Sequence, residues 1–307
     1  PIFTGLARAE DKKALGGLLY GLGSDRRSLG IAAAGFQGDE KTDHGYYELN
    51  EKLELMPVND PLTHRFIQEK FAIPEDVLSI EESSVLLVDD RGRRWRLPLG
   101  PDAQTPLMNS AFLRISREVA TERDLFSCHG TFYELPAENA DGFAKIRPVS
   151  SHPFRIHDYA SYRGMLVMTG IDPEMTESNE NPHIIVSKDG KAAVWAGVID
   201  DLWKLGKPTG YGGPWNQTSV MPGEASDPYL IAFYDEKILE LSHQSNFPVN
   251  FHLEVEPMGH GPWMTYMTVT VDPGEPFRHR FPDHFQSRWI RFRSDSSCKA
   301  TALLFYK

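Results

Sequence analysis

With 25 Gly and 22 Pro among 307 residues, the chain is interrupted at short intervals, and the apolar or alternating runs between the interruptions have strand length. Gly16 to Leu22 and Ser28 to Gly35 are Gly-rich, apolar and separated by Ser24-Asp25-Arg26-Arg27, the pattern of tightly packed inner strands joined by a turn. Val85 to Val88, a turn at Asp89-Asp90-Arg91-Gly92 and then Arg94 to Leu99 read as a hairpin. Ile184 to Val186, Ser187-Lys188-Asp189-Gly190-Lys191 and Ala192 to Ala196 read as a second one. Helical signals are sparse. Leu62 to Phe71 can form one or two turns before Pro74, Pro106 to Thr121 fits a helix or a long strand, and Asp201 to Leu205 fits a single turn.

The expected class is therefore all-β. Hairpin groups recur at roughly 40 to 45 residues, which suggests four-stranded blades and a β-propeller over residues 1–235, without a repeated tryptophan-aspartate signature. From residue 236 onward the pattern changes. Lys237 to His243, Val249 to Glu256, Trp263 to Val271, Pro276 to Phe281, Ser287 to Arg293 and Cys298 to Tyr306 make six alternating segments with short turns. That pattern is expected of a small antiparallel, β-sandwich-like module over residues 236–307.

Composition excludes some partners. The formal charge of −11 leaves no broad basic surface to neutralise phosphates, so nucleic acid is not an expected partner. Two basic runs, Arg91-Arg93-Arg94-Arg96 and Arg288-Arg291-Arg293, read as solvated strand faces. No apolar stretch reaches bilayer length, and no membrane partner is expected. The chain opens at Pro1, as a processed or partial product would, which makes an upstream segment of the same protein a candidate partner. Two cysteines, Cys128 and Cys298, cannot build a disulfide scaffold, although one long-range bridge stays open. Asn216-Gln217-Thr218 is a glycosylation sequon.

Chemistry concentrates between Cys128 and Gly170, where His129, Tyr133, Arg147, His152, Arg155, His157, Asp158, Tyr162 and Arg163 crowd together. His can move a proton near neutral pH, Tyr can assist as acid or base, and Arg can hold a carboxylate through two parallel hydrogen bonds. Strand alternation would place His129, Thr131 and Tyr133 on one face and Cys128, Gly130 and Phe132 on the other. It would likewise group Arg155, His157 and Tyr159, and separately Asp158, Ala160 and Tyr162. The dense polar run precedes the apolar strand Met165 to Gly170, the kind of strand mouth where binding sites collect. The expected site has His129 or His157 as base, Tyr162 or Tyr133 as acid, and Arg147, Arg155 or Arg163 as a clamp for an anionic, hydroxyl-rich substrate. Each of these residues also has a purely structural reading, as a hydrogen-bonded group that fixes strand geometry.

A third region, Gly197 to Trp215, sets Trp203, Tyr211 and Trp215 on a Gly/Pro-rich loop suited to stacking against a sugar's C–H face, with Lys204 and Asp201 available for hydroxyls. Its structural alternative is an inter-blade loop pinned by buried tryptophans. No His-Glu-x-x-His, Cys-x-x-Cys or phosphate-cradling Gly-x-x-x-x-Gly-Lys occurs, so no cofactor is expected, and a structural calcium at Asp200 and Asp201 is the weak exception.

Ser187-Lys188-Asp189-Gly190-Lys191, followed by Trp195, resembles a degenerate Asp-box, the Ser-x-Asp-x-Gly-x-x-Trp hairpin turn of sialidase-like propellers, with Gly190 one residue early. The motif covers one hairpin and marks a blade, not an activity. In general character the chain is similar to propeller enzymes of polysaccharide degradation, which include glycoside hydrolases and polysaccharide lyases. That resemblance implies cleavage of a glycosidic bond in an acidic poly- or oligosaccharide, by elimination with the His, Tyr and Arg groups above. As the alternative to the slightly favoured elimination it leaves open hydrolysis by two carboxylates about 5 to 10 Å apart, for which Glu134, Asp158, Asp200, Asp201 and Asp227 are candidates. A non-catalytic glycan-binding propeller is the reading from another class. Secretion or a periplasmic location follows only from such a substrate.

Overall fold

The computed structural model describes residues 17–21, 28–37, 40–69, 78–105, 116–120, 123–171 and 182–307. Almost every element in them is a strand. The one α-helix among the described residues, Pro61–Glu69, lies where the sequence predicts it. Its start has a local cause: Asp60 accepts the backbone N–H and the hydroxyl of Thr63 at 3.0 and 2.7 Å, and Pro61 needs no donor at the first helical position. The segment Pro106 to Thr121 ends in a strand, Ser116–Ala120, while residues 106–115 lie outside the described residues, as does the turn at Ser24 to Arg27. Asp201 to Lys204 falls within a 3-10 helix, Ile199–Lys204, which Leu205 caps.

The chain forms two compact units. The first comprises Pro1–Ile73, Ala103–Gly130 and His152–Leu205. It contains a four-stranded antiparallel meander, Gly17–Gly21, Leu29–Gln37, Glu40–Leu49 and Leu55–Pro57, with neighbours in chain order. A second four-stranded antiparallel sheet has Tyr159–Tyr162, Met165–Met168, Ala193–Gly197 and Ile184–Val186 in that spatial order. Ser116–Ala120 and Arg123–Cys128 add a hairpin. No sheet among the described residues closes on itself.

The second unit comprises Pro74–Asp102, Thr131–Ser151 and Gly206–Lys307. The six strands expected after residue 236 all form, and they divide three and three between two sheets. Lys237–His243, Phe277–Arg280 and Cys298–Tyr306 lie in a four-stranded sheet with Gly210–Val220. Val249–Glu256, Met264–Val271 and Trp289–Ser294 lie in a seven-stranded sheet that continues through Tyr229–Leu230 to Arg94–Leu97, Val85–Val88 and Leu78–Ile80. Alternation decides which faces meet: Leu239, Leu241, Ala302 and Leu304 from one sheet and Phe251, Leu253 and Phe292 from the other are fully buried. Each large apolar side chain so buried stabilises the unit by about 1.5–3 kcal/mol. Trp215 spans the layers, its ring 6.3 Å from Phe251 and 5.9 Å from Phe292.

Two expectations about exposed charge are corrected here. Arg96 is buried rather than solvated, with Nε 2.8 Å from Asp227 and Nη1 bonded to Glu81 and Ser84. Buried guanidinium is tolerated only when its donors are met, and here three side chains meet them. Arg291 stacks over Trp263 at 4.3 Å while its Nε donates to Glu254 at 2.7 Å. Cys128 and Cys298 are both free thiols, so the optional disulfide is absent.

Candidate functional site

His129 does not continue a strand. The strand Arg123–Cys128 ends before it, and His129 and Gly130 take left-handed φ values of +48° and +80°, the conformation of a two-residue turn of the Asn-Gly kind. The expected alternation of His129 with Thr131 and Tyr133 therefore fails, because a turn resets which face each side chain meets. His129 is only 2% exposed and its Nε2 lies 3.0 Å from the Thr105 hydroxyl. Beside it, Gln104 is buried and donates to the carbonyl of Phe154 at 3.1 Å.

The polar segment after Ser151 is irregular until the strand Tyr159–Tyr162 begins, so the predicted facing of Arg155 with His157 and Tyr159 also fails. His157 is 1% exposed. Burial, reinforced by the charge of Arg155, lowers its pKa to about 3. His152 is likewise buried and is lowered to about 4. Both imidazoles are neutral at pH 7 for the same reason: an imidazolium there would lose its water. Asp158 is fully buried and accepts the N–H of Tyr159 at 2.7 Å, and the Tyr159 hydroxyl donates to the Leu125 carbonyl at 2.5 Å. The segment is seated by Gly170, whose φ is +87° and where a Cβ would fall 1.8 Å from the Arg155 carbonyl oxygen. Arg155 itself is exposed.

Tyr162 is half-buried, and burial raises its pKa against the opposing charge of Arg163. Arg163 and Gly164 form a second left-handed turn, at φ +51° and +78°, between Tyr159–Tyr162 and Met165–Met168. The Arg163 guanidinium reaches Glu51 at 3.3 Å.

In the second unit Tyr133 is 1% exposed, and Arg147 sits opposite Glu134 in the strand register, 3.5 Å from its carboxylate. The expected residues are thus divided between the units: His129, His157, Tyr162, Arg155, Arg163, Trp203 and Lys204 belong to the first, and Tyr133, Arg147, Tyr211 and Trp215 to the second.

The expected aromatic loop does not form: Trp203 lies in the 3-10 helix Ile199–Lys204 and Tyr211 and Trp215 lie on the strand Gly210–Val220, and the three separate by burial. Trp203 is 52% exposed and Tyr211 37%, whereas Trp215 is 4% exposed and presents no face for stacking because it fills the core. Tyr211 is held by paired backbone hydrogen bonds with Leu99, and its hydroxyl donates to Asp102 at 2.8 Å, which raises its pKa. Lys204 donates to Asp201 at 2.6 Å, and Asp201 also accepts the N–H of Val198 at 2.9 Å. Asp201 is therefore committed to its own 3-10 helix, as Asp227 is to Arg94 and Arg96. Among the described residues no group of three or more His, Cys, Asp or Glu side chains is placed to hold a metal ion.

The turn that resembles an Asp-box closes on itself. The Ser187 hydroxyl donates to Asp189 at 2.6 Å and accepts the N–H of Ala192 at 3.0 Å, and Gly190 takes φ +68°. Trp195, 1% exposed, stacks on His183 at 4.9 Å.

Sequence reasoning missed two groupings. Tyr266 and His279, on consecutive strands that belong to different sheets, share a hydrogen bond of 3.1 Å beside Phe281. Burial raises the pKa of Tyr266 and lowers that of His279. Phe233, 42% exposed and at φ +66°, lies under two guanidinium groups, those of Arg147 and Arg288. No local pattern signals either, since the partners come from separate strands.

No family model matches the chain, and no curated protein matches it. Among solved structures it is similar to a glycoside hydrolase family 43 arabinoxylan arabinofuranohydrolase from Bacillus subtilis, in complex with cellotetraose. The identity is 10%, the match covers 94% of this chain and 78% of that one, and the TM-score is 0.20, a value too low to carry fold or chemistry across.

Proposed function

We propose that this chain is a carbohydrate-active protein of β-propeller type that engages an acidic poly- or oligosaccharide, and that bond cleavage, where it occurs, is hydrolytic rather than eliminative. The observation that carries the reading is the Tyr211–Asp102 pair: an exposed aromatic ring with a carboxylate held at its hydroxyl. A ring of this kind offers its face to the C–H side of a pyranose, and a carboxylate beside it accepts hydrogen bonds from the sugar hydroxyls. The Asp-box-like turn and the four-stranded antiparallel sheets of the first unit support the blade assignment.

Elimination needs a base and an acid that reach the substrate. His129, His157 and Tyr133 are at most 2% exposed, and the pKa of Tyr162 is raised rather than lowered. Hydrolysis needs two carboxylates: of the expected candidates Asp158 is fully buried and Asp201 and Asp227 are engaged by Lys204 and by Arg94 and Arg96, so Glu134 and Asp200 remain, and Asp102 beside Tyr211 joins them. A second reading, binding without turnover, is favoured by one observation: the pKa values of Asp141, Asp189 and Asp201 move down, away from the proton donor a glycosidase requires. Incubation with uronate-containing glycans separates the readings. New reducing ends without the ultraviolet absorbance of an unsaturated uronate are expected. That absorbance would overturn hydrolysis in favour of elimination, and binding without any product would establish the second reading. Absence of both binding and product across acidic and neutral glycans would end the carbohydrate assignment.

A further inference from the structure

We propose that Arg147, Phe233 and Arg288 form a carboxylate clamp on the second unit, a subsite for the acid group of an anionic sugar. The identity of the ligand as a sugar rests on the function proposed above; the anion site does not. Phe233 follows the short strand Tyr229–Leu230, in a turn where its own φ is +66°, a conformation that a bulky side chain adopts only when its surroundings hold it. Its neighbours Ala232 and Tyr234 are buried, yet its ring is turned outward.

Both guanidinium carbons lie over that ring, Arg147 at 5.4 Å and Arg288 at 5.6 Å. One aromatic ring thus gathers two like charges in a protein whose net charge is −11. Contact with the ring uses none of a guanidinium's N–H groups as hydrogen-bond donors, so the ring does not compete with an anionic ligand for them.

The charges are only partly answered. Arg147 meets Glu134 at 3.5 Å, longer than a charge-assisted hydrogen bond, and Arg288 gives one N–H to the carbonyl of Lys145 at 3.0 Å. Glu256, the other acid near Arg288, is 3% exposed and already accepts N–H groups from Met258, Gly259 and Gly261. Arg288 has a lowered pKa because of burial, with the charge of Arg147 acting the same way and those of Glu256 and Glu134 opposing. A bound carboxylate would relieve the repulsion between the two cations.

Titration calorimetry of the full chain with tri-galacturonate, its neutral methyl ester and citrate tests the clamp. Phe233→Gly removes the ring at a φ that Gly adopts freely, so the backbone is not strained, and Arg147→Ala alters a part-exposed side chain. The acid trisaccharide is expected to bind about tenfold or more tightly than its ester, and each variant to lose about tenfold for the acid while leaving the ester unchanged. Citrate binding that depends on Arg147, without binding of the trisaccharide, would keep the clamp and remove the sugar. Equal binding of acid and ester, variants that match the parent, or no binding of either carboxylate would overturn the clamp.

Discussion

Tyr47 donates its hydroxyl to Asp189 Oδ2 at 3.1 Å, tying a residue of the meander to a turn 142 positions away. Asp189 would be raised by its partial burial, but hydrogen bonds from Ser187, the N–H of Lys191 and Tyr47, with the charge of Lys191, hold its pKa below the usual carboxylate range. Asp189→Ala is expected to cost about 1–3 kcal/mol in urea unfolding, with Tyr47→Phe costing less because it removes one bond of the set. A change within about 0.5 kcal/mol for Asp189→Ala would show the turn to be held by its backbone alone.

Stability should fall with acid in the window set by the two buried histidines. Their pKa values are lowered from 6.5 to about 4 for His152 and about 3 for His157, so below 6.5 the unfolded chain binds protons that the folded chain refuses. Their contribution is intact above pH 6.5 and is lost progressively as pH falls toward those lower values. Denaturation curves at stepped pH should show this slope, and His157→Gln should flatten it. An unchanged slope in that variant would mean His157 titrates normally.

Gly170→Ala should be among the most damaging single changes in the first unit. The new Cβ would overlap the Arg155 carbonyl and the φ of +87° is unfavourable to alanine, together a loss of about 3 kcal/mol or more. A soluble variant with a parent-like melting curve would contradict the close approach.

Trp215 and Trp203 should part company. Trp215→Ala is expected to cost about 3–5 kcal/mol because it empties the space between two sheets, whereas Trp203→Ala should change stability by about 0.5 kcal/mol or less. Glycan titration of the folded Trp203→Ala protein then reads whether the exposed ring binds sugar.

Local pattern was enough for the strands. Alternation over Lys237 to His243 and Cys298 to Tyr306 announced one buried face, and both segments form strands with that burial. The hairpins at Asp89 to Gly92 and Ser187 to Lys191 were legible because Gly and Asp carry the turn conformation within a few residues. His129 was misread because the run around it alternates as a strand would, although a His-Gly pair is one that can take two successive positive φ values.

What the sequence alone determined is the β class and those strands whose alternation and turns are local, among them the six after residue 236, since period-2 alternation and turn chemistry are properties of neighbouring residues. Only the tertiary structure decided which polar groups are reachable. Burial of His129, His157 and Trp215, exposure of Trp203 and Tyr211, and the meeting of Arg147 and Arg288 on Phe233 all depend on contacts between segments remote in sequence. No local pattern specifies pairing at that distance, because contacts between remote strands are chosen by the packing of whole sheets.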